Sequence, residues 1–285
     1  MLPYVNQRQD LTYIIGELIG ELNIGHAYVG GGDYVKADRV NMGLLGARLA
    51  KDPSGYYKIT KTFKGQNWDR VTRSPLTEIG VNAKEGDYII AINGIKTSDV
   101  VNINQLLIAT ADKQVKLTLN SKPSEEGSRV VTVVPTNDEQ KLIYYNWVEE
   151  NYEKVNKATN GRVGYLHIPN MGSEGLNEFV KHFYAQLSKE ALIVDDRGNG
   201  GGNVSPHIIE RLRREPVQVT LMRNSVPSFE PNEQIIGPKV ALVDEWSASD
   251  GDIFAYRFRK HNLGPIIGKR TWGGVVGIRG SLPLV

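Results

Sequence analysis

Val240-Ala-Leu-Val-Asp-Glu-Trp-Ser-Ala-Ser-Asp-Gly-Asp252 changes its period halfway along. Val240, Ala241, Leu242 and Val243 form a short apolar run behind Gly237 and Pro238, the pattern of a buried central strand. Beyond it, Ile253, Phe254 and Phe258, with Arg257, Arg259 and Lys260 closing the run, suit a helix whose last turns carry positive charge. Ser247, Ala248, Ser249, Asp250 and Gly251 lie between. A hydroxyl at such a turn has two uses. It can cap the helix, or it can sit beside unpaired N-terminal N–H groups that stabilise a developing oxyanion.

Upstream, strand and helix signals alternate. Gly161–Pro169 begins an apolar strand, and Ser173 caps a helix carrying Leu176, Phe179, Val180, Phe183 and Leu187. Ala191–Asp195 is a second buried strand, running through Asp196 into Arg197-Gly-Asn-Gly-Gly-Gly202. Ser205-Pro206 then reads as an N-cap and first helical residue ahead of Ile208, Ile209 and Leu212. This alternation argues for an α/β core with a parallel or mixed sheet. Gly200, Gly201 and Gly202 lack the lysine and spacing of a P-loop and do not match a dinucleotide fingerprint. Consecutive glycines there let backbone N–H groups point into a cleft at the strand's C-terminal edge.

At the other end, Asp10 reads as the N-cap of a helix with Leu11, Ile14, Ile15, Leu18, Ile19 and Leu22 on one stripe. Gly16 and Gly20 would permit close packing. The helix should end near Asn23-Ile24-Gly25, with His26 directly after it and Ala27-Tyr28-Val29 as a short strand. His26 is either a cation held at a helix C-terminus or a functional imidazole.

Between Asp38 and Thr136 the pattern is of short strands and turns. Tyr56–Thr60, the two runs around Asn93-Gly94, Val115–Leu119 and Val130–Val134 are strand candidates, and Asn102–Ala111 looks helical. This block resembles a PDZ domain, on Gly43-Leu-Leu-Gly46 and Gly86-Asp-Tyr-Ile-Ile-Ala-Ile-Asn-Gly94. The resemblance implies binding of an extended peptide by strand addition, with Leu44, Leu45 and Gly46 in the loop whose N–H groups hold a terminal carboxylate. A generic small β domain is the alternative. Lys141–Lys157 follows as a connecting helix.

Bulk properties narrow the function. The 285 residues are 40% hydrophobic and 23% charged, with a net charge of +2, which points to neither a nucleic-acid nor a membrane partner. No apolar run is long enough to span a bilayer, and no signal peptide is legible at Met1–Tyr4. The helix so close to the start suggests part of something longer. The chain has no cysteine, which excludes disulfides and thiolate chemistry. His167, His182, His207 and His261 fall in separate elements without ligand spacing, so no metal and no cofactor are expected.

Taken together, Gly16–Val29, the PDZ-like block, Gly161–Gly172, Asp195–Gly202 and Val243–Asp252 resemble the tail-specific (C-terminal processing) serine peptidases, most closely their tricorn branch. The implied fold is an α/β (α+β) peptidase core with an inserted PDZ-like β domain. Residues 1–37 carry the His, 38–137 form the insert, and 138–285 hold the nucleophile. The resemblance implies Ser249 as nucleophile, His26 as general base, and the amides of Asp250 and of a glycine among Gly200, Gly201 and Gly202 as the oxyanion hole. Related branches use a Ser–Lys pair, but Gly274 stands where that lysine is expected. Gly25 replaces the Ser that precedes the His in the archaeal pattern, and the family's completing Glu lies further downstream than Val285.

The implied activity is a serine endopeptidase acting on peptides or unfolded chains through an acyl-enzyme. The alternatives are an inactive fold that binds peptides through its PDZ-like block, and another acyl-transfer activity on the same architecture. The resemblance also implies a homo-oligomer for the full-length protein. It implies a cytoplasmic location by the archaeal pattern, or a periplasmic or exported one if bacterial.

Overall fold

The computed structural model describes residues 2–34 and 36–277; the end of the expected C-terminal segment, 278–285, lies outside the described residues. The chain divides into two compact units. One is Ala37–Glu150, and the other joins the N-terminal segment up to Lys36 with the chain from Asn151 onward.

Helix α1 (Arg8–Gly20) begins before Asp10, which therefore does not cap it from outside. Asp10 sits at the third helical position. Its carboxylate accepts from the N–H of Asn6 at 3.0 Å and of Gln7 at 3.2 Å, which lowers its pKa. The stripe is only half covered: Leu11, Ile14, Ile15 and Ile19 are partly buried, while Leu18 and Leu22 are 69% and 62% exposed. The helix stops at Gly20, earlier than the spacing suggests, and Ala27–Val29 forms no strand. A Cβ on Gly16 would meet Val29 at 3.5 Å, whereas one on Gly20 would meet nothing within 4 Å among the described residues.

The Ala37–Glu150 unit is an antiparallel sheet. Its strands are β1 (Ala47–Lys51), β2 (Tyr57–Thr62), β3 (Tyr88–Ile92), β4 (Ile95–Lys96), β5 (Val115–Asn120) and β6 (Arg129–Val133). The order is β1-β2-β3-β5-β6, with β4 folded back on β3. Asn93 (φ 49°) and Gly94 (φ 85°) make the two-residue turn that pairs Ile92 with Ile95. Alternation along β5 sends Val115, Leu117 and Leu119 into a core with Ile59, Leu76, Ile89, Ile92, Ile103 and Leu107. The helix expected over Asn102–Ala111 is a single 3-10 turn, Ile103–Leu107. The chain turns out of it at Ala109 (φ 57°) and Asp112 (φ 59°).

Helix α2 (Gln140–Ala158) leads into the second unit: β7 (Val163–His167), α3 (Ser173–Tyr184), β8 (Ala191–Asp195), α4 (Ser205–Leu212), β9 (Gln218–Thr220), β10 (Ser228–Glu230), β11 (Lys239–Val243), α5 (Asp250–Lys260) and β12 (Ile266–Gly268). The main sheet is wholly parallel, in the order β12-β11-β8-β7, with Val240 opposite Ile193 and Tyr165 opposite Ile193 on the other side. Strand β11 is thus central, as its apolar run predicts. The β9–β10 hairpin is an unexpected antiparallel pair between α4 and β11.

Phe179 and Phe183 of α3, Ile208, Ile209 and Leu212 of α4, and Phe254 and Phe258 of α5 close on Leu166, Leu192, Val194 and Ala241. Each such side chain contributes about 1.5–3 kcal/mol when fully buried. Val180 turns outward instead. Neither predicted serine cap forms. Asn170 holds the start of α3, its Oδ1 accepting from the N–H of Gly172 (2.9 Å) and Gly175 (3.2 Å), while Ser173 is already helical. Ser205 is the first residue of α4, with its hydroxyl turned to Asp250.

Candidate active site

The C-terminal ends of β8 and β11 are adjacent in the sheet, so the loops leaving them meet. Ser247 is fully buried. Its Oγ donates to the carbonyl of Asp196 at 2.8 Å and accepts from the N–H of Asp244 at 3.1 Å. Ser249 is half-buried and takes φ 55°, ψ −114° immediately before α5, without a hydrogen bond from its side chain to the helix. The capping alternative therefore fails for both serines. A side chain in that backbone region costs about 1–3 kcal/mol and is kept only where its surroundings impose it.

The glycine run imposes it. A Cβ on Gly201 (φ 91°) would lie 2.6 Å from the Ser249 Cβ and 2.8 Å from the Ala248 carbonyl; on Gly202, 2.1 Å from the Met171 carbonyl. No side chain fits at either place. Asn199, fully buried, ties the two loops together. Its carbonyl accepts from Ala248 N–H (2.8 Å), its Oδ1 from Gly201 N–H (2.9 Å), and its amide donates to the Ile168 carbonyl (3.0 Å). The Gly201 N–H is thus already committed, which removes it from the predicted oxyanion donors. Among the described residues, the N–H groups of Gly200, Gly202 and Asp250 donate to no protein acceptor, and Gly200 faces open space. The Asp250 carboxylate accepts from the Ser205 N–H (2.9 Å) and Oγ (2.6 Å), and Arg257 donates to that same Oγ at 2.9 Å. That side chain locks α5 to α4.

His26 Nδ1 lies 2.6 Å from the Val276 carbonyl. A carbonyl only accepts, so Nδ1 carries a proton, and in the neutral ring this leaves the lone pair on Nε2, the tautomer a general base needs. The ring stands edge-to-face with Tyr28 and Trp272, centroids 5.8 and 5.7 Å away. Trp272 donates its N–H to the Ser247 carbonyl at 3.0 Å, and Gly273 N–H reaches Asp252 Oδ1 at 2.7 Å. The imidazole is therefore carried by a strap, 272–276, stapled to the turn that holds Ser249. No hydrogen bond joins His26 to Ser249 among the described residues. Lys269, the lysine of the segment where other branches keep theirs, is paired with Glu245 at 2.7 Å.

Beneath the turn lie buried charges that the motifs do not announce. Asp195 is held by Arg197 and by the Tyr165 hydroxyl at 2.7 Å. Burial raises the Tyr165 pKa and lowers that of His167, whose Nε2 is 2.8 Å from the Arg197 carbonyl. Burial, reinforced by the Asp195 charge, pushes the Asp196 carboxyl well above the usual range, and among the described residues neither of its oxygens has a hydrogen-bond partner. Among the described residues no group of three or more His, Cys, Asp or Glu is placed to hold a metal ion.

In the other unit, a groove of about 340 Å³ runs between β1 and the 3-10 turn, lined by Leu44, Leu45, Leu49, Ile103 and Leu107. The expected carboxylate-binding amides are partly spent. Gly43 N–H donates to the Leu107 carbonyl (2.8 Å) and Leu44 N–H to that of Thr136 (2.7 Å). Gly46 (φ 70°) turns the chain into β1, its carbonyl accepting from Phe63 N–H at 2.9 Å.

A family model described as the tricorn protease PDZ domain matches residues 43–138, and one for peptidase family S41 matches residues 162–285. The chain is 37% identical to tricorn protease homolog 1 of Streptomyces coelicolor over 100% of its own length, and 37% identical to the tricorn protease of Thermoplasma volcanium over 95%. It covers 26% of each, so it spans about a quarter of the length of these relatives. A crystal structure of the tricorn protease superposes with a TM-score of 0.88 at 35% identity, covering 98% of this chain and 27% of that one. The chain belongs to the S41 serine peptidases, in their tricorn protease branch.

Proposed function

We propose that this chain carries the catalytic centre of a serine endopeptidase that hydrolyses peptides or unfolded polypeptides through an acyl-enzyme. The observation that carries the reading is Ser249 itself: an uncapping hydroxyl on a strained turn, pressed against Gly201 at the head of α5. In the step this supports, His26 Nε2 takes the Ser249 proton as Oγ attacks the scissile carbonyl carbon. The oxyanion lies against the N–H of Asp250 and that of Gly200 or Gly202. The imidazolium then returns its proton to the leaving amine, and water releases the acyl group from Ser249 by the same exchange. Val276 keeps the ring in the required tautomer, a task for which a carbonyl serves where other sites use a carboxylate.

A fluorophosphonate should label Ser249 stoichiometrically. Ser249→Ala should abolish labelling and lower peptide hydrolysis by at least about 10³-fold, and His26→Ala should do nearly the same, because the two act as one unit. Hydrolysis by the Ser249→Ala protein at the parent rate would overturn the assignment. A protein that binds peptides yet takes no label would favour an inactive binding module.

A further inference from the structure

Glu139 stands just ahead of α2, in the same unit as the groove beside β1, and its side chain is only 12% exposed. It lines that groove, and Arg48 Nη1 donates to its Oε1 at 3.5 Å. Strand β1 is an edge strand, so an extended peptide can pair along it. In such sites the loop ahead of the edge strand receives the terminal carboxylate of the peptide on its N–H groups. Here Gly43 and Leu44 have given theirs to Leu107 and Thr136. Arg48 and the Gly46 N–H face Glu139: burial raises its pKa, while those two groups favour its charged form.

We propose that Glu139 fills, as an internal carboxylate, the place a peptide's own C-terminal carboxylate would need, so that the groove takes extended segments whose chain end lies elsewhere. A second carboxylate would meet like charge in a half-dry site and find Arg48 and the amides of Gly43, Leu44 and Gly46 engaged. An amide-capped or continuing chain meets no such repulsion. The proposal rests on the groove being a peptide site, not on the role given to Ser249.

The test uses the full chain carrying Ser249→Ala, so that no peptide is consumed. Fluorescence anisotropy compares two labelled peptides with the same apolar C-terminal residues, one ending in a free acid and one in an amide. The Ser249→Ala protein should bind the amide at least as tightly as the acid. Adding Glu139→Ala should raise affinity for the acid about 10-fold or more and leave the amide within about twofold. Adding Arg48→Met to that should cancel the gain, since Arg48 is the group released. Glu139→Gln, which keeps the shape without the charge, should give a smaller gain in the same direction and guards against a misfolded alanine variant. A free-acid preference already present before the Glu139 change, or one that change leaves untouched, would overturn the proposal. Binding of neither peptide by any of these proteins would overturn the peptide-site reading beneath it.

Discussion

Ser247 spends its hydroxyl on two backbone groups, the carbonyl of Asp196 and the N–H of Asp244, whereas Ser249 spends its own on neither helix nor sheet. The difference comes from what lies under each. Beneath Ser247 is the Asp196 carboxyl, fully buried, unpartnered among the described residues, and raised in pKa by burial and by the charge of Asp195. A raised carboxyl pKa means that the native state binds more protons than the unfolded state between the ordinary carboxylate pKa and the raised one. Stability must therefore fall as pH climbs through that interval. Asp196→Asn removes this titration. It should raise the melting temperature at pH 8 relative to parent, by about 2–4 °C for each kcal/mol recovered, and the gain should shrink towards pH 4. A melting difference independent of pH, measured calorimetrically, would show that burial of the charge is not the cause.

At the level of elements, the strap 272–276 connects the early His to the late Ser. Asp252, in the first turn of α5, fastens it through Gly273 N–H, and Val276 at its far end orients His26. Asp252→Ala should loosen the strap and lower kcat about 10²-fold with little change in KM, since it disturbs positioning and not substrate contact. Asp252→Asn keeps an acceptor oxygen for Gly273 and should restore most of the rate. Steady-state kinetics on the two variants separates this from a general loss of structure, which would lower both alike. The loop of Asn199 acts similarly on the other side, and its place inside Asp195–Gly202 was a visible signal. The glycines of that stretch stand out by their run, whereas the Asn that joins the loops carries no periodic signal.

Across the whole molecule, each unit closes its own core. In Ala37–Glu150, Ile59, Ile89, Leu117 and Leu119 pack into one cluster made of that unit's own residues. A fragment of residues 37–158, which keeps α2 whole, should fold alone, with a cooperative melt and dispersed amide resonances. A broad, non-cooperative transition would show that the units depend on each other.

Wherever burial follows a local period, the chain was legible from its residues. Val240–Val243 had to be a central strand, Phe254 and Phe258 an inward helix face, and Asn93-Gly94 a hairpin, because side-chain direction alternates or rotates with the backbone itself. The PDZ-like domain was legible through resemblance, and the same resemblance singles out Ser249 and His26 as candidates. What escaped depends on which of several possible partners a polar group takes once the backbone is folded. Asp10 accepts from residues before it instead of capping, Asn170 displaces Ser173, and Gly201 gives its N–H to Asn199. Likewise the Val276 carbonyl meets His26 Nδ1, and Glu139 sits among the groups expected to receive a peptide's carboxylate. The sequence by itself determined which segments become strands and helices, and which residue types were on hand for chemistry. Only the tertiary structure decided which hydroxyl stays free, which amides are already spent and which carboxyl is stranded, because hydrogen-bond capacity is settled by neighbours in space and not by neighbours in the chain.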